Sequence, residues 1–381
     1  MDSQSIQEQV CTLSAQFARE RHERQRRQRL DRADFDVLKA AGLLHMGVPI
    51  EQGGVWESVE RSTRPIAEML RTLAGGDSSV ALVASMHPAV LAFWLATPQA
   101  PPPFAEAWAQ QRQHVFQTAK EGAWWGTITS EPGSGGDIYK SRAIARAAPS
   151  GEGYQLTGQK HFGSGSGITS YMLTAAVPDG ETTADLFFLD MRQVPWDGST
   201  GVSLVAEWDG HGMTATQSHG MRFENFPATR FAWPGQLQQI LGAAGMVVGC
   251  WFTAVIVGIV ETATETARQQ LSTWHTSMRS YEQVEWTKAE IETWLIQQAY
   301  AGMLRAVEER PQTATREVQQ GKMAVAELAE SVLRRLCRIM GGGTFARHSP
   351  FGFWFEDVRA LGFLRPPWGL AYENIYNSSW N

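Results

Sequence analysis

The chain has 381 residues, of which 43 % are hydrophobic, and a net charge of −6 at neutral pH. That length suits two or three packed units with a large core needing no staples, and the mild acidity excludes nucleic-acid binding through a clustered basic field. The densest basic run, 19–32, is interleaved with Glu20, Glu23 and Asp31 and reads as a solvated helix face. Cys11, Cys250 and Cys337 are too widely spaced for a metal pattern or a disulfide framework. The polar N-terminus lacks the apolar core of a signal peptide, so the expected setting is cytoplasmic.

In chain order, residues 1–120 read as helical. Residues 33–44 alternate at helical spacing with Gly42 near the end, and Pro49 with Gly53-Gly54 marks a loop. Two further helices are predicted over 58–73 and 77–96, the second with Asp77, Ser78 and Ser79 as candidate N-caps. Pro101-Pro102-Pro103 breaks the pattern. From 121 to about 235 the chain is dense in Gly, Ser and Thr, with short alternating stretches at 141–147, 153–157, 171–176, 186–190 and 220–224. Turn residues at short intervals between them predict a β domain. Helical periodicity then returns. Residues 240–260 are apolar enough to pass for a membrane span, but no basic flank anchors them and Glu261 and Glu265 continue the pattern, so a buried helix and no membrane are expected. Further helices are predicted over 261–274, 281–309 and 313–340, the last stopped by Gly341-Gly342-Gly343. The reading is α+β: an N-terminal helical domain (1–120), a central β domain (121–235) and a C-terminal helical domain (236–381).

Three segments carry candidate chemistry. In Ser130-Glu131-Pro132-Gly133-Ser134-Gly135-Gly136-Asp137, the glycines let the backbone approach a ligand and expose its N–H groups; a long turn is the plainer reading. In Gly158-Gln159-Lys160-His161-Phe162-Gly163-Ser164-Gly165-Ser166-Gly167, a ring system would stack on Phe162 while Ser164 or Ser166 meets its edge; the plainer reading is a bulge or hairpin. In Gly341-Gly342-Gly343-Thr344-Phe345-Ala346-Arg347, the next helix would open with exposed N–H groups able to hold an anion, against an ordinary helix connection.

Together these segments resemble, in order and spacing, the acyl-CoA dehydrogenase family. That family carries Thr-Glu-Pro-x-x-Gly-Ser-Asp, here 130–137, then Gly-x-Lys-x-Trp/Phe-x-Thr/Ser-x-Gly, here 158–166 with Ser last. Further matches are Gly212-Met213-x-Ala215-Thr216-x-Ser218-His219, Gly341–Phe345 with Ser349-Pro350 and Glu356-Asp357-Val358-Arg359, and the early phrase Ala41-Gly42-Leu43-Leu44 with Val48-Pro49. The resemblance covers nearly the whole chain and implies a helical domain, a β domain and a C-terminal four-helix bundle.

It also implies a flavin, FAD in the family, between the β domain and the C-terminal helices. Thr129 and Ser130 would meet the pyrimidine edge, Phe162 would pack on the ring, and Ser164 would bond near N5, where local polarity tunes the flavin. Two departures matter. The family's adenine-side Arg-x-x-Phe-Gly should fall near Ser272–Thr276, which lacks all three residues. Arg338, before the turn containing Gly342, would then supply a replacement charge for the pyrophosphate, or FMN or reduced flavin would replace FAD. The family's catalytic glutamate falls at Arg365, and its alternative position falls near Val248. Arginine cannot act as a base at neutral pH. If that count is right, Arg365 lines the flavin cavity.

Three functions stay open. One is a dehydrogenase acting on an acyl thioester of coenzyme A or a carrier protein, with an electron-transfer flavoprotein as partner and Glu373 or Asp209 as the base. Another is a two-component monooxygenase fed reduced flavin by a partner reductase, in which His87 would face the flavin from its helix; a satisfied core histidine is the ordinary reading. The last is a flavin-less scaffold. A homo-oligomer, commonly a homotetramer, is expected from the resemblance. Trp124-Trp125 line a cavity or pack in the core.

Overall fold

A computed structural model describes residues 2–380. The N-terminal third is helical: α1 (Ser3–Arg19), α2 (Arg21–Arg24), α3 (Arg32–Ala40), α4 (Val59–Gly76), α5 (Ser78–Leu95) and α6 (Ala105–Lys120). Their starts follow side-chain caps. Asp2, Asp31, Ser58 and Asp77 each accept a backbone N–H of the first turn, which satisfies a donor the helix leaves unpaired.

Most of the basic run is solvent-facing, but one of its arginines is not. Arg24 is 5 % exposed. Its guanidinium meets Asp34 at 2.6 Å and Asp77 at 3.1 Å and lies 3.6 Å over the Phe17 ring. Charge alternation in sequence did not reveal that both acids approach from other helices.

Among the described residues seven strands follow: β1 (Trp125–Thr127), β2 (Ile144–Ala147), β3 (Tyr154–Gly163), β4 (Tyr171–Pro178), β5 (Asp185–Asp190), β6 (Val202–Ala206) and β7 (His219–Arg230). The pairings β4–β2, β2–β3, β3–β7, β7–β5 and β5–β4 close a ring, with β1 beside β4 and β6 beside β7. Closure removes most free edges and encloses a core including Ile128, Leu156, Met172, Phe187, Met221 and Phe223. β3 runs six residues beyond the predicted 153–157 because register breaks at Leu156/Gly158 and Lys160/Gly163 let Gly and Lys sit in the strand.

The C-terminal helices are α7 (Leu237–Leu271), α8 (Ser280–Glu309), α9 (Thr315–Met340), α10 (Pro350–Val358), α11 (Ala360–Phe363) and α12 (Trp368–Asn377). The two helices predicted over 240–260 and 261–274 are one, α7, which packs against α4, α5, α8 and α9, with short α10 completing the bundle. At Gly258 a Cβ would stand 2.1 Å from the Arg71 carbonyl, so only glycine lets α4 and α7 approach this closely. Both α5 and α7 are long and apolar enough to cross a bilayer, yet 94 % and 78 % of their apolar windows are buried inside the fold. Helices from both ends of the chain share one continuous core.

Candidate functional site

The first and second candidate segments meet at one end of the barrel. Ser130, just past β1, bridges to His161 near the end of β3, with the His161 N–H donating to the Ser130 carbonyl at 2.8 Å. Beneath them lies a buried pair. Lys160 Nζ stands 2.5 Å from Glu131 Oε1, and both side chains are at most 5 % exposed. Burial alone would raise the Glu131 carboxyl, but Lys160, Ser141 and the Arg142 N–H together hold it below its ordinary value. Burial pushes the Lys160 amine down to about 8 against the pull of Glu131. Glu131 also accepts from the Ala143 N–H. The Glu and Lys of the two segments are therefore structural: they lock the 131–143 loop to β3 and carry Ser130 with them.

Phe162 follows in the left-handed region, at φ 58°, with its ring 57 % exposed. A bulky residue there stores of order 1–3 kcal/mol of strain, which the surrounding bonds must offset. The ring stands edge-on to Trp208, centroids 6.2 Å apart, and leaves an open aromatic surface. Next, the Gly165 N–H donates to the Thr216 carbonyl, and Gly165 has φ 81° with Val83 of α5 only 2.7 Å from where a Cβ would sit. This fixes Ser164, whose hydroxyl pairs with Ser218 at 2.8 Å; Ser218 pairs with Thr216 at 2.8 Å, and Thr216 donates to the Met213 carbonyl. The result is a buried hydroxyl chain ending at Ser164. Ser166, the other hydroxyl of the segment, is spent on the Gly163 carbonyl.

Arg365 arrives from the C-terminal arm between α11 and α12. Its Nε donates to Thr129 Oγ1 and its Nη2 to Ser130 Oγ, both at 3.0 Å, and Nη1 donates to the Gly136 carbonyl. Burial lowers the guanidinium to about 10, partly countered by Asp137 and Glu131, so it stays charged at neutral pH. Thr129, Ser130 and Arg365 form one donor cluster. Two more matched phrases have structural explanations. Asp357 accepts from the Met213 N–H at 2.6 Å and from Ser78, tying α10 to the 213–218 loop and to α5. Burial raises its carboxyl to about 6.

Other expected site residues stand apart. His87 is fully buried; its Nδ1 accepts from the Trp125 N–H at 3.2 Å and its Nε2 meets the Leu44 carbonyl at 3.1 Å. Burial lowers it to about 4, so it is neutral and has no exposed atom with which to face a ligand. Trp124 and Trp125 are core residues as well. Arg338 is half-exposed and paired with Glu285 at 3.5 Å. Gly342 lies in an exposed turn with open space around it. Counted along α9, Arg338 is about 24 Å from Lys322, which touches the Arg365 arm, so one chain does not join these groups to the donor cluster. Glu373 and Asp209 are exposed surface carboxylates. A cavity of about 680 Å³ opens between Trp56, Leu95, Arg112 and Met246. It lies roughly 18 Å along α5 from Val83, away from Ser164.

Sequence reasoning assigned no role to Ser218, Thr216 or Lys322. The first two lie in a matched phrase, which was the available signal; Lys322 carries none.

No family model matches the chain. A dibenzothiophene monooxygenase of Mycolicibacterium goodii is 29 % identical over 251 residues, covering 62 % of this chain and 55 % of that protein. The probable FMNH2-dependent monooxygenase SfnC of Pseudomonas putida is 28 % identical over 264 residues, covering 68 % and 60 %. The match thus spans less than two thirds of either relative's length. Among solved structures, KijD3 in complex with FMN and dTDP-3-amino-2,3,6-trideoxy-4-keto-3-methyl-D-glucose has a TM-score of 0.81 at 18 % identity, covering 99 % of this chain and 93 % of that one. The chain therefore shares the overall fold of that structure, and part of its sequence is similar to monooxygenases.

Proposed function

We propose that this chain is the oxygenase component of a two-component flavin-dependent monooxygenase, using reduced FMN from a separate reductase and oxidising a heteroatom of a small molecule. One observation carries the reading: at the position expected for the dehydrogenase base, a charged guanidinium bonds Thr129 and Ser130. A proton-abstracting carboxylate is replaced by a fixed cation, which stabilises negative charge and takes up no proton. The dibenzothiophene monooxygenase and the probable FMNH2-dependent monooxygenase among the relatives support this reading. FMN rather than FAD suits a chain whose Arg338 is already paired and whose 272–276 segment lacks the adenine-side residues.

The donor set fits a flavin. Thr129, Ser130 and Arg365 offer hydroxyl and guanidinium donors to a pyrimidine edge, Phe162 offers a face, and the Ser164 hydroxyl chain offers a neutral partner near N5. Reduced flavin, when bound, supplies two electrons to O₂, so that one oxygen atom goes to the substrate and the other leaves as water. The residues bind and orient: Arg365 holds the electron-rich edge, Phe162 and Trp208 wall the ring, and the 131–143 loop, anchored by Glu131 and Lys160, keeps Ser130 in place. The acyl-thioester reading loses its base, because Glu373 and Asp209 are surface groups. A second copy of the chain is the partner best suited to α8, whose Tyr281, Val284, Ile291 and Trp294 are exposed at coiled-coil-like spacing.

The test uses the purified chain with FMN, an NADH-driven flavin reductase and ¹⁸O₂, offering dibenzothiophene and a panel of organic amines. Labelled oxygen in one product is the expected result. Anaerobic bleaching of bound flavin by an acyl thioester, without any oxygenated product, would overturn it.

A further inference from the structure

Lys322 is the least explained charge in the molecule. It projects from α9 and is 1 % exposed. Among the described residues no carboxylate pairs with it. Its Nζ stands 2.6 Å from the Leu364 carbonyl and 2.6 Å from the Pro366 carbonyl, the two acceptors that flank Arg365. Desolvation lowers the amine to about 7, and no charged group among the described residues compensates. A buried amine without a counter-charge is costly, and methionine of similar length would fill the same space at no such cost.

The arm itself explains the need. Residues 364–367 lie outside any helix, and Pro366 and Pro367 have no N–H to give. The carbonyls of Leu364 and Pro366 therefore depend on a donor from elsewhere. Lys322 offers at least two N–H bonds, charged or neutral, and the two it makes straddle Arg365. The arm is held from behind by α9 while its guanidinium reaches forward to Thr129, Ser130 and Gly136.

We propose that Lys322 is a positioning residue that sets Arg365 on the cofactor face, so that affinity for reduced FMN runs through a side chain that never touches it. The inference rests on the flavin reading above. It would give the face a cation whose backbone on both sides is held by one donor from α9.

The experiment measures anaerobic binding of reduced FMN, binding of oxidised FMN and the visible band of bound oxidised FMN in the parent chain, K322M, R365A and the double variant, each with its melting curve. Expected are about a tenfold or greater loss of reduced-FMN affinity in K322M, a similar loss in R365A, a matching shift of the visible band, and a double variant no weaker than R365A alone. Folded K322M that binds and absorbs like the parent overturns the inference. So do losses that multiply in the double variant, since Lys322 would then act independently of Arg365. If K322M does not fold, K322R decides: its longer planar head displaces the two carbonyls, so weaker binding in a folded protein supports the role and parent-like binding ends it. A parent chain that binds neither flavin form sinks the flavin reading itself, and with it the inference, an outcome distinct from a parent that binds and a variant that does not differ.

Discussion

A guanidinium and a carboxylate make opposite electrostatic demands on the same position. Arg365 repels a developing cation and attracts a developing anion, so in the proposed reading it would favour an electron-rich ring edge over proton abstraction. Ser164 would be the complementary neutral group in that reading, with its hydroxyl direction constrained by Ser218 and Thr216 behind it. His87 shows how burial removes a residue from such chemistry. Its Nδ1 accepts a backbone N–H, so the proton sits on Nε2 and bonds the Leu44 carbonyl. With its folded pKa lowered to about 4, from 6.5, the ring takes up a proton on unfolding throughout that window. Its contribution is complete above 6.5 and is lost as pH falls toward 4, by up to about 1.4 kcal/mol per pH unit. Chemical denaturation of the parent and H87N between pH 6.5 and 4.5 should show a shallower acid loss in the variant. Equal slopes would show that His87 is not neutral in the folded state.

At the scale of elements, the barrel end is organised by a loop and two strands that share the Lys160–Glu131 pair. Removing one partner of a buried pair leaves the other charge stranded, which costs about 3–5 kcal/mol. K160M should therefore lower the denaturation midpoint sharply and loosen the 131–143 loop. A K160M/E131Q double variant should recover part of the loss, because no uncompensated charge is left. Hydrogen exchange at Arg142 and Ala143, whose N–H groups bond Glu131, would report the loosening directly. Unchanged exchange there in K160M would mean the loop is held by its turns and not by the pair.

At the scale of the molecule, the helices from both ends of the chain form one core around α7, and the barrel sits against them with a core of its own. Tyr281, Val284, Ile291 and Trp294 form an exposed apolar stripe on α8, which the proposed second copy would cover. I291E/W294E should shift the protein to a smaller species in sedimentation velocity, while its circular dichroism stays that of the parent. A variant that sediments like the parent would place the contact elsewhere.

The amino-acid sequence by itself determined the order of helices, strands and helices, because apolar periodicity and capping residues act over a few neighbouring positions. It also marked the donor-rich segments at 129–137 and 158–167, since the Gly and Ser content there is local composition. Arg365 could be placed opposite Thr129 only through family likeness. What the tertiary structure alone decided was which groups meet and in what charge state. Arg365 reaches Thr129 across 236 positions of chain, and Lys322 reaches the Leu364 carbonyl across 42. His87 becomes neutral, and Arg24 becomes buried, because helices distant in sequence close over them. Such contacts depend on barrel closure and on the packing of α5, α7 and α9, and no local pattern encodes them.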